Sequence, residues 1–342
     1  MLKRISKYIG FLLLFYTILC LATPFNTTLR NRSIKNQINY LSGILDKGYD
    51  DSIQNRYPEG KLFSNALLAL STIEFCGNNG IVENKYVEII DNCIKRIQSK
   101  KTLETFNPNI QPQYGIFYNG WSNFVYSTYQ KSPLFEQSAI QEEVRKESIA
   151  ITERITQTLK DSIRILDSYI AAQWPADNLI AMISFSNDSL RQNWLDGLVD
   201  ASEHPDRMIF HSTSDKSEVR GSSSALITYS LQEIGYKNID AYNEILRDNF
   251  VDEFLGVELV KENQNGSNES DYDSGPVVFG YGASATIMNI KTQASLHSSK
   301  AKFTYAAMNF ISAPIHGFKT KYYLFKQEPM FDLFMLWSSV EL

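Results

Sequence analysis

Residues 173–186 read QWPADNLIAMISFS, and this stretch decides the fold. Pro175 suits the first turn of a helix, where its missing N–H costs nothing, and Asp177 and Asn178 are residues that cap such a turn. The run from Leu179 to Ile183 that follows is apolar, as in a helix buried on all sides rather than along one stripe. The segment therefore predicts a buried helix that begins at a polar, aromatic-bearing turn.

The same grammar recurs in both directions along the chain. Upstream, Tyr57-Pro58-Glu59-Gly60 leads into KLFSNALLALSTIEF, and Tyr114 to Trp121 leads into SNFVYSTYQ. Downstream, Arg220-Gly221-Ser222-Ser223-Ser224 leads into ALITYSLQEI, Asp271 to Pro276 into VVFGYGASATIMNI, and Lys326 to Met330 into FDLFMLWSS. The six starts recur at roughly 50–60 residues, a period that signals a repeated supersecondary unit. Two helices and two loops fill that interval. The second helix of each unit reads as amphipathic: residues 144–170 carry Glu, Arg and Lys between Ile149, Ile151, Ile155, Leu159, Ile163 and Leu166, and residues 238–250 read alike.

Six apolar helices, each followed by an amphipathic one, predict an all-α chain. The layout resembles the six-hairpin (α/α)6 toroid of many glycoside hydrolases, polysaccharide lyases and sugar epimerases. The segments FYNGWSNF, YIAAQWPADNLIAMIS and DYDSGPVVFGYGASAT look like helix starts of that superfamily. The resemblance covers about residues 35–342. It implies a toroid domain over 31–342, after an N-terminal segment over 1–30. Linalool dehydratase/isomerase-like proteins share the toroid and act on apolar molecules, so the resemblance leaves the substrate class open.

The N-terminal segment has the form of an export signal or anchor. Lys3, Arg4 and Lys7 precede an uncharged run from Tyr8 to Thr23. Three fates are compatible with it: cleavage after Ala22, retention as an anchor, or lipidation at Cys20. Each places the rest of the chain outside the cytoplasm, in the periplasm, at the cell surface or beyond. Cys76 and Cys93 then either pair or remain as buried thiols. Charge excludes one class of partner: 33 basic against 38 acidic residues, net −5, supplies no basic stripe for a nucleic acid.

In a toroid the inner helices start at one rim, and acids there converge on a common funnel. Such acids are Glu59, Asp177, Asp271 and Asp273. Glycosidic hydrolysis needs two carboxylates, one to protonate the leaving oxygen and one to activate water or attack the sugar. The expected assignment is Asp273 as general acid and Asp177 as base or substrate clamp, with Glu59 able to stand in for either. Each is equally intelligible as an N-cap. Tyr118, Trp121, Trp174 and Tyr272 offer aromatic faces for a sugar ring, Asn119 and Asn178 offer amides for its hydroxyls, and Asp271 lies beside them. Arg220 is suited to clamp a carboxylate. His204 and His211 lie in one loop that leads to the fourth start, whereas Ser222 to Ser224 have no base close by in sequence. No metal-ligand spacing occurs, and no cofactor is expected. An oligosaccharide or another small molecule is the expected substrate. The two other expectations are an apolar, terpenoid-like substrate and a non-catalytic envelope binding module.

Overall fold

A computed structural model of the chain describes residues 2–161, 165–203, 207–213, 218–270, 274–324 and 328–342. The described part is mostly helical. In chain order the helices are α1 (Leu2–Ala22), α2 (Thr27–Leu45), α3 (Tyr49–Arg56), α4 (Gly60–Asn79), α5 (Asn84–Ile97), α6 (Lys100–Leu103), α7 (Gly115–Gln130) and α8 (Gln141–Asp161). They continue as α9 (Pro175–Ile183), α10 (Asp188–Ser202), α11 (Gly221–Ile234), α12 (Ile239–Phe250), α13 (Ala283–Ser295), α14 (Lys300–Ile311) and α15 (Pro329–Ser339). Three antiparallel two-stranded ribbons interrupt them: β1 (Val251–Phe254) with β2 (Val257–Val260), β3 (Val277–Val278) with β4 (Tyr281–Gly282), and β5 (Ile315–His316) with β6 (Lys321–Tyr322).

Five of the six expected helix starts coincide with the start of α4, α7, α9, α11 or α15. The sixth is displaced. Residues 277–282, expected as helix, form the β3–β4 ribbon, and α13 begins at Ala283. Phe279 and Gly280 both have positive φ there, at 53° and 83°, the geometry of a tight hairpin turn that no helix accommodates. The long amphipathic helix expected over 144–170 is also shorter, since α8 ends at Asp161. Beyond it, Tyr169 and Ala172 close a small turn, and the buried Ile165 and Leu166 pack outside any helix. The stretch 256–273, strongly polar in sequence, contains β2, with Glu258 and Val260 fully buried.

The helices sort by burial. In α4 nearly every residue from Gly60 to Cys76 is buried, and α9 and α13 are similar. By contrast α5 buries Tyr86, Val87, Ile90, Cys93, Ile94 and Ile97, the spacing of a single stripe. Packing follows the same division. The fully buried helices touch in sequence order, α4 to α7, α7 to α9, α9 to α11, α11 to α13 and α13 to α15, and α15 packs back against α4. Each also packs against an amphipathic neighbour: α4 with α5, α7 with α8, α9 with α10, α11 with α12, α13 with α14, and α15 with α2. Close approach is built in at Gly120, where a Cβ would fall 3.1 Å from the Ala181 methyl and 3.2 Å from the Asp177 carbonyl.

Aromatic rings fill the space between the buried helices. Phe63 of α4 meets Phe117 and Trp121 of α7 and Phe334 of α15 with ring centroids 4.7–6.1 Å apart. Trp121 meets Trp337 at 5.9 Å, and Trp337 meets Tyr229 of α11 at 5.2 Å. These edge-to-face contacts add stabilisation beyond burial alone. Cys76 and Cys93 are free and buried, so of the two states expected for them the thiol pair is the one found. Burial pushes both thiols up to about 12.

Helix α1 is the long apolar element, and Lys7–Phe25 is long and apolar enough to cross a bilayer. Its last turns pack on the body. Cys20 is fully buried, and its carbonyl accepts a hydrogen bond from Asn309 Nδ2 at 3.0 Å.

Candidate functional site

The start of α11 gathers two serines, a histidine, an arginine and two glutamates. Gly221 opens the helix because its backbone lies against β2: a Cβ there would fall 1.9 Å from the Lys261 carbonyl oxygen. Its N–H donates to the Glu262 carbonyl at 2.9 Å. The two serines that follow are each engaged. Ser222 Oγ donates to Glu262 Oε1 at 2.7 Å, and Ser223 Oγ lies 2.5 Å from His211 Nδ1. Ser223 therefore has an imidazole partner, supplied by a loop residue twelve positions upstream. Burial, with the Arg220 guanidinium nearby, pulls His211 down to about 4, so the imidazole is neutral at pH 7 and engages Ser223 as a hydrogen-bond partner. Arg220 itself pairs with Glu218.

This cluster reaches α9 through a short relay. Thr213 Oγ1 donates to Gln173 Oε1 at 3.1 Å, and Gln173 Nε2 donates to Asp167 Oδ1 at 2.7 Å. Trp174 caps α9 by position, its ring edge-on to Tyr169 at 5.1 Å. Asp177 sits in the first turn of α9 and is buried. Glu262 is also buried, on the approach to α13. Two buried carboxylates, a neutral histidine and a serine thus belong to the starts of three successive buried helices. Unpaired N–H groups and the positive end of the helix dipole favour anionic species there.

The other expected residues distribute as follows. Asp271, Tyr272, Asp273 and His204 lie outside the described residues. Glu59 stands at the N-cap position of α4 and is half-buried, with no side-chain cap bond. Tyr118 packs on Phe106 and Tyr114. Trp121 belongs to the aromatic interior. Asn119 is fully buried: its Nδ2 donates to the Gln113 and Gly115 carbonyls and its Oδ1 accepts from Arg154 Nε. Asn178 Oδ1 accepts from the Leu166 N–H, and its Nδ2 donates to the Leu166 and Trp174 carbonyls. Both amides therefore fasten the loop that enters a helix. Among the described residues, no group of three or more His, Cys, Asp and Glu side chains is arranged to hold a metal ion.

A second polar cluster, unforeseen in the sequence, lies at the opposite ends of the same helices. Lys291 of α13 is fully buried, with Nζ 2.7 Å from Glu74 Oε2 and 2.8 Å from Glu341 Oε2, over the Trp337 ring at 5.0 Å. Burial raises Glu74 to about 7 despite Lys291, and burial also raises Glu233 nearby. Burial opposes the charge on Lys291, but attraction to Glu74 and Glu341 leaves it raised. The signal that could have found this cluster is a charge set directly behind an apolar run, Glu74 after ALLALSTI and Lys291 after TIMNI.

A search against known protein families finds no matching family, and a search of curated proteins finds no match either.

Proposed function

We propose that the chain is an (α/α)6 toroid enzyme of the cell envelope that cleaves a glycosidic bond at the rim where the six inner helices begin. One observation carries the reading: the buried helices follow one another in packing from α4 to α15 and back to α4, and the buried carboxylate of Asp177 belongs to one of their first turns. In this reading Asp177 is the base or substrate clamp and Asp273 the general acid. Glu262 and Glu59 are further carboxylates of the rim. Neutral His211, held on Ser223, accepts or relays a proton beside them.

The test is hydrolysis of a panel of oligosaccharides and aryl glycosides by the purified protein and by Asp177→Asn and Asp273→Asn. The expected result is turnover by the wild type, abolished in both variants with circular dichroism and melting unchanged. Turnover that survives both substitutions refutes the assignment.

A second reading is favoured by the aromatic interior. Phe63, Phe117, Trp121 and Phe334 pack together there, and a terpenoid-like or lipid-like molecule that entered between them would meet apolar surface. There the His211–Ser223 pair supplies the acid–base chemistry, and His211→Asn, rather than Asp177→Asn, is the inactivating change.

A further inference from the structure

Three contacts fix the direction of α1. Phe25, just past its end, meets Phe303 at 5.1 Å between ring centroids. The Cys20 carbonyl accepts from Asn309, and Tyr16 Oη donates to the Pro314 carbonyl at 3.3 Å. Falling numbers in α1 meet rising numbers along α14, so the two run antiparallel. Helix α14 follows α13 after the four-residue connection Leu296–Ser299 and packs against it, the geometry of an antiparallel hairpin. The end of α14 is therefore level with the start of α13. Traced backward from Tyr16, α1 leaves the body past that same end and continues for about 20 Å at the helical rise. Tyr8, Ile9 and Phe11 to Phe15 lie on this projecting part, and all are exposed.

We infer that α1 is retained as part of the folded protein and holds the inner-helix starts against a lipid bilayer. Retention follows from what Cys20 covers. Asn309, Tyr305, Lys321 and Tyr323 form a buried hydrogen-bonded group, and Asn309 spends its amide on the Cys20 carbonyl. Cleavage after Ala22 would strip that partner away, uncover the polar group beneath it and lose the burial of Cys20. Orientation follows from where the unpacked apolar run lies: hydrocarbon that covers Tyr8 to Phe15 lies on the α13-start side of the body.

Independent side chains on that side suit the same surroundings. The turns or ribbons that lead into α9, α13 and α15 each present an exposed apolar residue: Ile170 at 66%, Phe279 at 88% and Phe318 at 87% exposed. Ile311, at the end of α14, is 70% exposed. Phe279 takes a positive φ, a costly conformation for a bulky residue, to occupy its tip. Lys319 lies 5.9 Å from the Phe318 ring, an aromatic and basic pairing suited to lipid headgroups. The substrate class follows, and this part rests on the catalytic reading above: a rim that faces the bilayer draws on an amphiphile held there, a sugar headgroup carried on a lipid.

The test uses the full chain in nanodiscs. Single cysteines at Phe279→Cys and Phe318→Cys on the rim side, and at Leu255→Cys and Val82→Cys on the far side, are labelled with an environment-sensitive dye. The native thiols are buried. A lipid-borne nitroxide should quench and blue-shifted emission should mark the first pair, with neither effect at the second. Quenching at Leu255 or Val82 without quenching at Phe279 and Phe318, or equal response at all four, overturns the orientation. An N-terminus at residue 23 in protein recovered from membranes overturns retention. Quenching needs no turnover, so the orientation stands or falls apart from the catalytic assignment. Hydrolysis of a free oligosaccharide but not of the same sugar on a lipid in vesicles overturns the substrate class alone.

Discussion

Asp332 offers a quantitative check on how the α2–α15 contact is built. It lies in the first turn of α15 and is fully buried, with Oδ1 accepting from the Tyr323 N–H at 2.9 Å. Among the described residues its Oδ2 has no hydrogen-bond partner. Burial raises the carboxyl to about 8, against the modest opposing pull of that N–H and of Lys321. The folded protein thus keeps a proton that the unfolded chain releases near pH 4, and stability falls as pH rises from there through pH 8. At about 1.4 kcal/mol per pH unit the loss between pH 5 and pH 9 approaches about 4 kcal/mol, and relaxation around the charge reduces it to about 2–4 kcal/mol. Asp332→Asn imitates the protonated form and abolishes this slope. Urea unfolding at pH 5, 7 and 9 should show the variant gaining on the wild type by that amount across the range. A constant difference between the two proteins would mean that Asp332 is ionised in the fold, and the account of a neutral buried acid would be wrong.

Lys291→Ala leaves Glu74 and Glu341 without their shared cation and should cost about 3–5 kcal/mol, measured by thermal or urea unfolding. Adding Glu74→Gln should recover part of that loss, and no recovery would deny the coupling. His211 titrates near 4 in the fold and near 6.5 when unfolded, so stability should fall as pH drops through that window. His211→Asn should flatten this acid limb, and a ring that titrates above 6 by NMR would refute the burial argument. Cys76 and Cys93 should react with a disulfide reagent only on unfolding, because the thiolate is scarce and covered. Rapid native-state labelling would contradict that.

The helix starts were legible because they are local. Pro175, Pro329 and Gly221 act on the first turn of their own helix, and the buried runs behind them need only composition to be read. The β3–β4 ribbon was not, because its turn depends on Phe279 holding a positive φ, against the preference of its residue type. Residues 165–170 differ from the expected helix for a related reason: Ile165 and Leu166 extend the apolar period of α8, yet Asn178 binds the backbone of Leu166 from outside it. For the candidate site, the sequence displays the residues at the helix starts but not their partnerships. Ser223 meets His211 only because residue 211 lies beside the start of α11 in the fold. The Lys291 cluster joins residues that lie 217 and 50 positions apart, a distance at which no spacing rule operates.

The pairing of α15 with α2 and α4 brings the last helix of the chain against two of its earliest. A ribosome delivers these partners at opposite ends of synthesis. Until α15 emerges, the α4 and α13 flanks that it covers have no neighbour, and the ring edges of Phe63 and Trp121 remain wet. The growing chain then carries two uncovered helix flanks, which are free to meet those of another unfinished chain. A stall or truncation before residue 329 should therefore yield self-associated chains more readily than compact monomers, and the late helix acts as the clasp that makes each molecule its own partner.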